Sequence, residues 1–223
     1  MVVQHHGVPG RSLAIDGVAK YGPAALAGAV FEREVAAALD QWLRSRPEKV
    51  HVFHDVGRLN TINAASGRQL NLGTSNVDHV VLTGGGWIMA DAKRVAQGRL
   101  MIDDGQGVLV TPSGQRRRQP WLENARAYSR AGAISDLAGG KKGVMVWVLP
   151  DSVDYSSHPS MAHPPCLPKR RGAYGYILSI SELAAGELET IPELTPPYRT
   201  PDPADMARLE RCISPTTWLP PES

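Results

Sequence analysis

The sequence predicts an α/β domain in which a mixed central sheet is flanked by helices. Two segments have the composition and apolar spacing of helices, and several short apolar segments have the character of strands. These segments follow one another in the order helix, strand, hairpin, strand, helix, strand. This order is typical of a sheet that is layered with helices, and the hairpin introduces an antiparallel pair into it.

The composition agrees with one globular domain that carries appendages. The chain has 223 residues, of which 42% are hydrophobic and 21% are charged, and its net charge is +2. Such a weakly basic protein can bind an anionic partner without requiring one. The sequence contains no apolar run near the ~20 residues of a membrane helix and no signal-peptide pattern. Its two cysteines form no disulfide framework. We therefore expect a cytoplasmic protein with no membrane partner.

The first helix is predicted over residues 24–46. Its apolar residues recur at spacings of three and four, so that one face packs on the domain, and Pro47 ends it. Residues 1–23 contain glycine and proline without a clear period, and they predict an irregular lead-in. Beyond the helix, the alternating segment "VHVFHDV" at residues 50–56 predicts a strand.

Further elements follow in the second half of the chain. The segment "GVLVTP" at residues 107–112 predicts a strand, and a second helix is predicted to begin near Pro120. The uniformly apolar segment "GVMVWVLP" at residues 143–150 predicts a buried strand.

The end of the chain is rich in proline. Residues 151–172 predict a loop, and residues 174–188 predict a strand followed by a short helix. Residues 191–223 predict an extended C-terminal tail because their proline content is high. The folded domain is therefore expected to span residues 24–190.

The segment "NVDHVVLTGGGWIMADAKR" at residues 76–94 predicts a β-hairpin that contains unexpected charges. A two-residue Gly84-Gly85 turn tolerates the positive φ angles of a primed hairpin turn. This turn sets a register in which Asp78 lies opposite Asp91, so that both side chains point to the same face. Lys93 shares that face because side chains alternate along a strand.

Two opposed carboxylates repel each other unless a cation lies between them. Mg²⁺ and Mn²⁺ prefer carboxylate oxygens, so Asp78 and Asp91 are predicted to bind one of these ions. Lys93 would then orient the nucleophile or stabilise charge on a phosphoryl oxygen. The spacing alone leaves a second interpretation open, in which the register is looser and both aspartates face solvent.

Two further polar residues lie on the first strand of this hairpin. His79 is expected to point away from Asp78, and to pack or form hydrogen bonds rather than bind the metal. Asn76 falls opposite Lys93 in the predicted register, where it would contact a phosphate or position the lysine.

The order of these motifs resembles the PD-(D/E)xK nuclease superfamily, and more narrowly the nuclease-related domain (NERD) family. The Asp78-His79 dipeptide, the glycine turn and "DAK" at residues 91–93 follow the family pattern, with Asp91 in place of the more usual glutamate. "VFEREVAAAL" resembles the family's first helix, although Phe31 replaces its glycine. "PWLENARAYSRA", "GVMVWVLP" and "ILSISEL" take the places of its later elements.

The resemblance implies a restriction-endonuclease-like fold and adds one acid to the site. Helical periodicity does not choose between Glu32 and Glu34, which flank the apolar stripe on opposite sides. The family's acid-x-x-Val pattern selects Glu32, with Val35, as an accessory metal ligand or as a group that orients water. Many enzymes of the superfamily dimerise, so the resemblance also permits a homodimer.

Together these observations predict a nuclease that hydrolyses DNA phosphodiester bonds with Mg²⁺ or Mn²⁺. Asp78, Asp91 and Glu32 are the predicted metal ligands, and Lys93 is the fourth predicted catalytic residue. Basic residues after the hairpin, among them those at 116–118, would neutralise phosphates, and the sequence leaves RNA open as a substrate. The alternative is a catalytically weak or inactive DNA-binding module with the nuclease fold, within a DNA-processing or defence assembly.

Overall fold

The structure is a computed structural model that describes residues 3–46, 49–57, 76–103, 106–122, 125–155, 166–170, 173–191 and 200–213. In chain order its strands are β1 (Val3–His6), β2 (Val50–Val56), β3 (Val77–Leu82), β4 (Trp87–Ala92), β5 (Gly98–Asp103), β6 (Gln106–Val110), β7 (Arg116–Arg118), β8 (Gly143–Leu149), β9 (Val153–Asp154), β10 (Cys166–Arg170) and β11 (Ala173–Ser179). Its α-helices are α1 (Val18–Tyr21), α2 (Pro23–Leu43), α3 (Ala125–Leu137), α4 (Ile180–Ala185) and α5 (Pro203–Glu210).

The strands form two sheets. The larger is a mixed sheet of seven strands in the order β1-β2-β3-β4-β8-β11-β10. Strand β3 pairs antiparallel with β2 and β4, whereas β8 pairs parallel with β4 and β11. The smaller sheet has four strands in the order β7-β6-β5-β9. The predicted mixed α/β sheet is therefore confirmed.

Helices cover both faces of the large sheet because alternate strand residues are apolar on each side. On one face, residues such as Val52 and Val146 pack with Leu39 of α2 and with Leu183 of α4. On the other face, the core includes Ile134 of α3 and Leu209 of α5, and many strand residues between them. The two cores bury the sheet on both sides, which explains the uniformly buried patterns of β2, β3 and β8.

Helix α2 confirms the prediction for the first helix. Gly22, with a φ of 64°, precedes the helix, and Pro23 occupies its first turn, where its missing N–H costs nothing. The helix ends at Leu43, slightly before the predicted end, and the Arg44 N–H still bonds the carbonyl of Asp40. Its buried face includes Glu32 among apolar residues.

The lead-in and the tail contain more regular structure than the sequence predicts. Residues 3–6 form β1, which pairs parallel with β2 at the edge of the large sheet. Its sequence, "VQHH", lacks the apolar alternation that predicts a strand, so the tertiary pairing decides its conformation. In the tail, Asp202 caps α5 by accepting a hydrogen bond from the Ala204 N–H. Residues 192–199 and 214–223 of the predicted tail lie outside the described residues.

The predictions between the hairpin and the third helix need two corrections. The "GVLVTP" strand is β6, but it pairs with β5 and β7 in the small sheet, and the sequence predicts neither partner. Helix α3 runs from Ala125, after the predicted start near Pro120, because the Gln119 N–H still bonds the carbonyl of Gly107 and extends the strand pairing.

The predicted loop at 151–172 contains strands β9 and β10. Residues 156–165 and 171–172 of that loop lie outside the described part of the chain. No helix in the described ranges has the length and apolarity to cross a membrane.

Candidate active site

The β3–β4 hairpin brings Asp78 and Asp91 together. The register pairs Leu82 with Trp87 and His79 with Ala90, so the next pair along the ladder is Asp78 and Asp91. This is the predicted register, and both carboxyl groups are buried. The two groups lie within hydrogen-bond distance of each other, which excludes the solvent-facing interpretation.

The turn that sets this register differs from the expected one. The Thr83 N–H bonds the carbonyl of Gly86 at 2.9 Å, and the Thr83 Oγ1 accepts a hydrogen bond from the Gly86 N–H at 3.1 Å. Gly84 and Gly85, which both lie in the described part of the chain, do not adopt positive φ. The threonine side chain therefore closes the turn in a geometry that is not a primed one.

Two cations neutralise Asp91. The Lys93 Nζ lies 2.5 Å from the Asp91 Oδ1, as the shared strand face predicts. From α3, the Arg130 Nη2 lies 3.4 Å from the Asp91 Oδ2. Burial alone would raise the pKa of Asp91, but Lys93 and Arg130 lower this pKa to about 2. Asp91 is therefore ionised at neutral pH.

The pKa of Asp78 shifts in the opposite direction. Burial raises the pKa of Asp78 well above its usual range, and the negative charges of Glu32 and Asp91 raise it further. Its Oδ2 accepts a hydrogen bond from the Ala92 N–H at 2.8 Å. Of the two acids, Asp78 is therefore the one whose environment favours the protonated form.

Glu32 lies close enough to the acid pair to interact with its charges. It is buried on α2, and its Oε2 has no hydrogen-bond partner among the residues that the structure describes. Burial raises the pKa of Glu32 to about 7, and the charges of Asp55 and Asp91 add to that effect. Glu34 is exposed instead. Of the two acids that periodicity left open, Glu32 is thus the buried one near the site.

The structure does not gather the three predicted ligands into one cluster. Within the described ranges, no group of three or more His, Cys, Asp or Glu side chains is placed to hold a metal ion. Asp78 and Asp91 are in contact, and Glu32 lies near them without joining them. Its role as a third ligand stays a prediction.

Asp55 is a further buried acid of this region, and no motif in the sequence points to it. Strand β2 pairs His54 with His79 and Val56 with Val77, which places Asp55 across from Asp78. It has a φ of 53°, a conformation that few residues other than glycine adopt. Its carboxylate accepts hydrogen bonds from the Ser12 N–H at 2.8 Å and from the Asn76 Nδ2 at 2.7 Å.

The side chain of Asn76 makes contacts that differ from the predicted one. Its side chain binds Asp55 and the Ser12 Oγ rather than Lys93. Its carbonyl accepts a hydrogen bond from the Arg130 Nη1 at 2.6 Å. Asn76 thus links the lead-in, the start of β3 and α3 around the acid pair.

His79 contacts a histidine of the neighbouring strand β2. It is fully buried, and its Nδ1 shares a hydrogen bond of 2.9 Å with the Nδ1 of His54. Burial lowers the pKa of His79 to about 3. It is a neutral packing residue, which agrees with the sequence interpretation.

Comparison with known proteins adds no relative. No protein-family model, curated protein or solved structure matches this chain. The resemblance to the NERD family therefore depends on the order of the motifs and on the acid pair described above.

A cleft of about 770 Å³ is lined by residues that neighbour the site residues in the sequence. Phe31 and Glu34 of α2 line one side of it, and the residues directly after Lys93, at 94–97, line another. Residues 150–152, which follow β8, also line it. Its size is in the range of small-ligand sites, but Glu32, Asp78, Asp91 and Lys93 are not among the residues that line it.

Proposed function

We propose that this protein is a divalent-metal-dependent nuclease that hydrolyses DNA phosphodiester bonds, with a restriction-endonuclease-like domain of the PD-(D/E)xK type. The observation that carries the proposal is the contact between Asp78 and Asp91 on one face of the β3–β4 hairpin, with the Lys93 ammonium 2.5 Å from Asp91. An acid, an acid and a lysine in this order on paired strands are the elements that the PD-(D/E)xK resemblance requires.

The residues present fit a hard divalent cation. Asp78 and Asp91 offer carboxylate oxygens, the ligands that Mg²⁺ and Mn²⁺ prefer. Burial and the charges of Glu32 and Asp91 raise the pKa of Asp78, and a cation between the two aspartates would oppose that shift. The Oε2 of Glu32 is buried without a partner in the described ranges, which is costly unless the group has a use. When bound, Mg²⁺ or Mn²⁺ supplies Lewis-acid polarisation of the phosphodiester and lowers the pKa of water.

The chain's own residues supply the remaining requirements for hydrolysis. The Lys93 side chain is 23% exposed, so its ammonium can reach a phosphate as well as Asp91. There it would stabilise charge on a phosphoryl oxygen, or orient the attacking water. With a pKa of about 7 in the metal-free chain, Glu32 is suited to exchange a proton at neutral pH.

A cleavage panel tests this function. Purified protein is incubated with supercoiled, linear and single-stranded DNA, and with RNA, in Mn²⁺ or in EDTA. We expect the protein to cleave DNA in Mn²⁺ and not in EDTA. Asp78→Ala should lose this activity, and Asp136→Ala, which replaces an exposed aspartate of α3, should keep it. If Asp78→Ala cleaves as fast as the unaltered protein, the activity belongs to a contaminant or to another site. The homodimer and the cytoplasmic location remain predictions.

A second candidate function is a DNA-binding module that does not turn over. One observation favours it: Lys93 and Arg130 already neutralise Asp91, so this carboxylate needs no metal ion for charge balance. This candidate predicts duplex binding that is equal in Mn²⁺ and EDTA, with no products in long incubations. The buried Oε2 of Glu32, which no described group bonds, argues for the enzyme.

A further inference from the structure

The small sheet has an inner face and an outer face. The register places Leu100 of β5 opposite Leu109 of β6, and both are buried in the core. Residues of the alternate rows point the other way. In β5, β6 and β7, those with described exposure are three half-buried apolar residues, one exposed glutamine and three arginines at the surface: Met101, Val108, Val110, Gln106, Arg99, Arg116 and Arg118. We refer to Arg99, Arg116 and Arg118 as the arginine face.

The strand pairing fixes the spacing of these arginines. Arg99 lies opposite Val110, and Val110 lies opposite Arg116, so two strand spacings separate the arginines, about 10 Å. Arg118 is two residues beyond Arg116 on β7, about 7 Å along the strand. These separations are of the same order as the ≈ 12 Å width of the DNA major groove, and the arginine side chains are long.

One end of the arginine face has no acidic neighbour in sequence. Residues 106–119, which form β6, the turn and β7, contain no aspartate or glutamate. The turn residues 112–115 are all exposed, so the hairpin projects into solvent. An acid borders the other end of the face, where Asp154 of β9 lies opposite Arg99. The β7 end of the face is therefore the more strongly basic one.

The small sheet is attached where Lys93 lies. Strand β5 begins a few residues after Lys93, and the Gly98 N–H bonds the carbonyl of Ser152, which follows β8. Both connections leave the large sheet at the carboxyl ends of the parallel strands β4 and β8. A polyanion on the arginine face would thus lie at the same end of the large sheet as the acid pair.

We propose that the arginine face binds the phosphate backbone of duplex DNA, independently of base sequence, and holds the duplex beside the acid pair. The choice of DNA as the polyanion rests on the proposed nuclease function. The arginines contact phosphates, and the half-buried Met101, Val108 and Val110 contact the sugars between them. Phosphate contacts of this kind position a duplex without reading its bases.

The test measures the binding of a fluorescent DNA duplex in EDTA, over about 50 to about 200 mM KCl, a range in which such contacts lose affinity steeply. The variant Arg116→Gln/Arg118→Gln should bind more weakly, and the slope of log K against log salt should fall by about two, at about 0.9 for each lost phosphate contact. The control Arg44→Gln/Arg211→Gln removes the same charge from exposed positions outside the small sheet, and its slope should not change. Arg117→Gln should also leave the slope unchanged, because Arg117 points away from the arginine face and its guanidinium binds the Gln115 Oε1.

Three results would overturn the inference. An unchanged slope in Arg116→Gln/Arg118→Gln means that DNA binds elsewhere, and an equal loss in the control means that only net charge matters. Arginine-dependent binding to phosphatidylserine vesicles, without binding to DNA, would assign the face to a membrane. Exposed substitutions of this kind change stability little, and a thermal melt verifies that each variant is folded.

The same measurements separate this inference from the proposed function. A protein that binds DNA through these arginines but never cleaves it refutes the nuclease and leaves the arginine face standing. If the protein cleaves DNA and none of the variants changes the slope of log K against log salt, the arginine face is refuted and the nuclease is not.

Discussion

Asp78 and Asp91 lie opposite each other on neighbouring strands, and the pKa values of their carboxyl groups shift in opposite directions. Burial raises the pKa of Asp78 well above its usual range. The pKa of Asp91 falls to about 2 because Lys93 and Arg130 outweigh the effect of burial. A divalent cation between the two aspartates would favour the ionised form of Asp78 and so oppose the effect of burial.

Binding of a metal ion between the two aspartates should stabilise the fold. With Mn²⁺ at roughly 100 times its Kd, the free energy of unfolding should rise by about 3 kcal/mol and the Tm by roughly 5–10 °C. Asp78→Asn should abolish this shift while leaving the metal-free Tm almost unchanged, because burial already favours the neutral form of Asp78. Differential scanning calorimetry in Mn²⁺ and in EDTA measures both effects.

The matched control for this prediction is Asp136→Asn, which removes an exposed acid of α3. It should keep the full Mn²⁺ shift. A shift of equal size in Asp78→Asn would place the ion at a different site.

Glu32 should make stability fall as pH rises. Its pKa is about 7 in the folded chain, against an ordinary value of 4.5 for a glutamate that is exposed in the unfolded chain. Between these values the folded state binds more protons, so the free energy of unfolding decreases with increasing pH, by up to roughly 3 kcal/mol. Glu32→Gln should make this decrease smaller, and the part that stays belongs to Asp78, whose pKa is also raised. Urea denaturation in EDTA at about pH 5 and about pH 8 measures it.

The control here is Glu34→Gln, because Glu34 lies on the same helix but is exposed. Its stability should follow the unaltered protein at both pH values. If Glu32→Gln shows the same fall between the two pH values as the unaltered protein, then Glu32 is not the group responsible.

The contact between the two aspartates follows from local rules that the sequence displays. The length of the glycine turn fixes the register, and the alternation of side chains fixes the face, so Asp78, Asp91 and Lys93 were predictable. The geometry of the turn was not predictable. The sequence predicts a primed turn with positive φ at the glycines, whereas the Thr83 side chain closes the turn by hydrogen bonds to Gly86. Long apolar segments such as β8 were predictable for the same local reasons.

Other parts of the site depend on contacts between distant segments. Arg130 belongs to a basic run that suggests a solvated helix face, and only the docking of α3 against β4 turns it towards Asp91. Asp55 follows ordinary strand alternation in sequence, and its φ of 53° and its contact with Ser12 arise from the packing of the lead-in. Strands such as β1 lack an apolar pattern, and their pairing partners determine them.

Arg130 should stabilise the site more than its one ion pair suggests. Its Nη1 donates to the carbonyl of Asn76 and its Nη2 lies near Asp91, with only 12% of the side chain exposed. Arg130→Gln should lower the free energy of unfolding by about 2–4 kcal/mol, because it leaves a buried charge less well paired. A double-mutant cycle with Asp91→Asn, followed by urea denaturation, should give a coupling of about 1 kcal/mol or more.

Additive losses in that cycle would contradict the pairing. The control is Arg33→Gln, an exposed arginine of α2 whose Nε donates to the carbonyl of Ala29 within the same helix. It should change the free energy of unfolding by less than about 0.5 kcal/mol.

Replacing Lys93 should lower the rate of cleavage without weakening DNA binding. Its ammonium contacts Asp91 and is partly exposed, so Lys93→Ala removes a charge that would act on the phosphate and leaves Arg130 to neutralise Asp91. Cleavage in Mn²⁺ should fall by about 10²–10³-fold, the loss expected when one preorganised charge is removed. DNA binding through the arginine face and the Mn²⁺ shift in Tm should both remain. Lys142→Ala, at an exposed position before β8, is the control and should cleave normally. Single-turnover rates measure the chemical step directly. An unchanged rate in Lys93→Ala would mean that the lysine takes no part in the reaction. If the variant instead loses DNA binding while its rate is unchanged, the lysine is a docking residue.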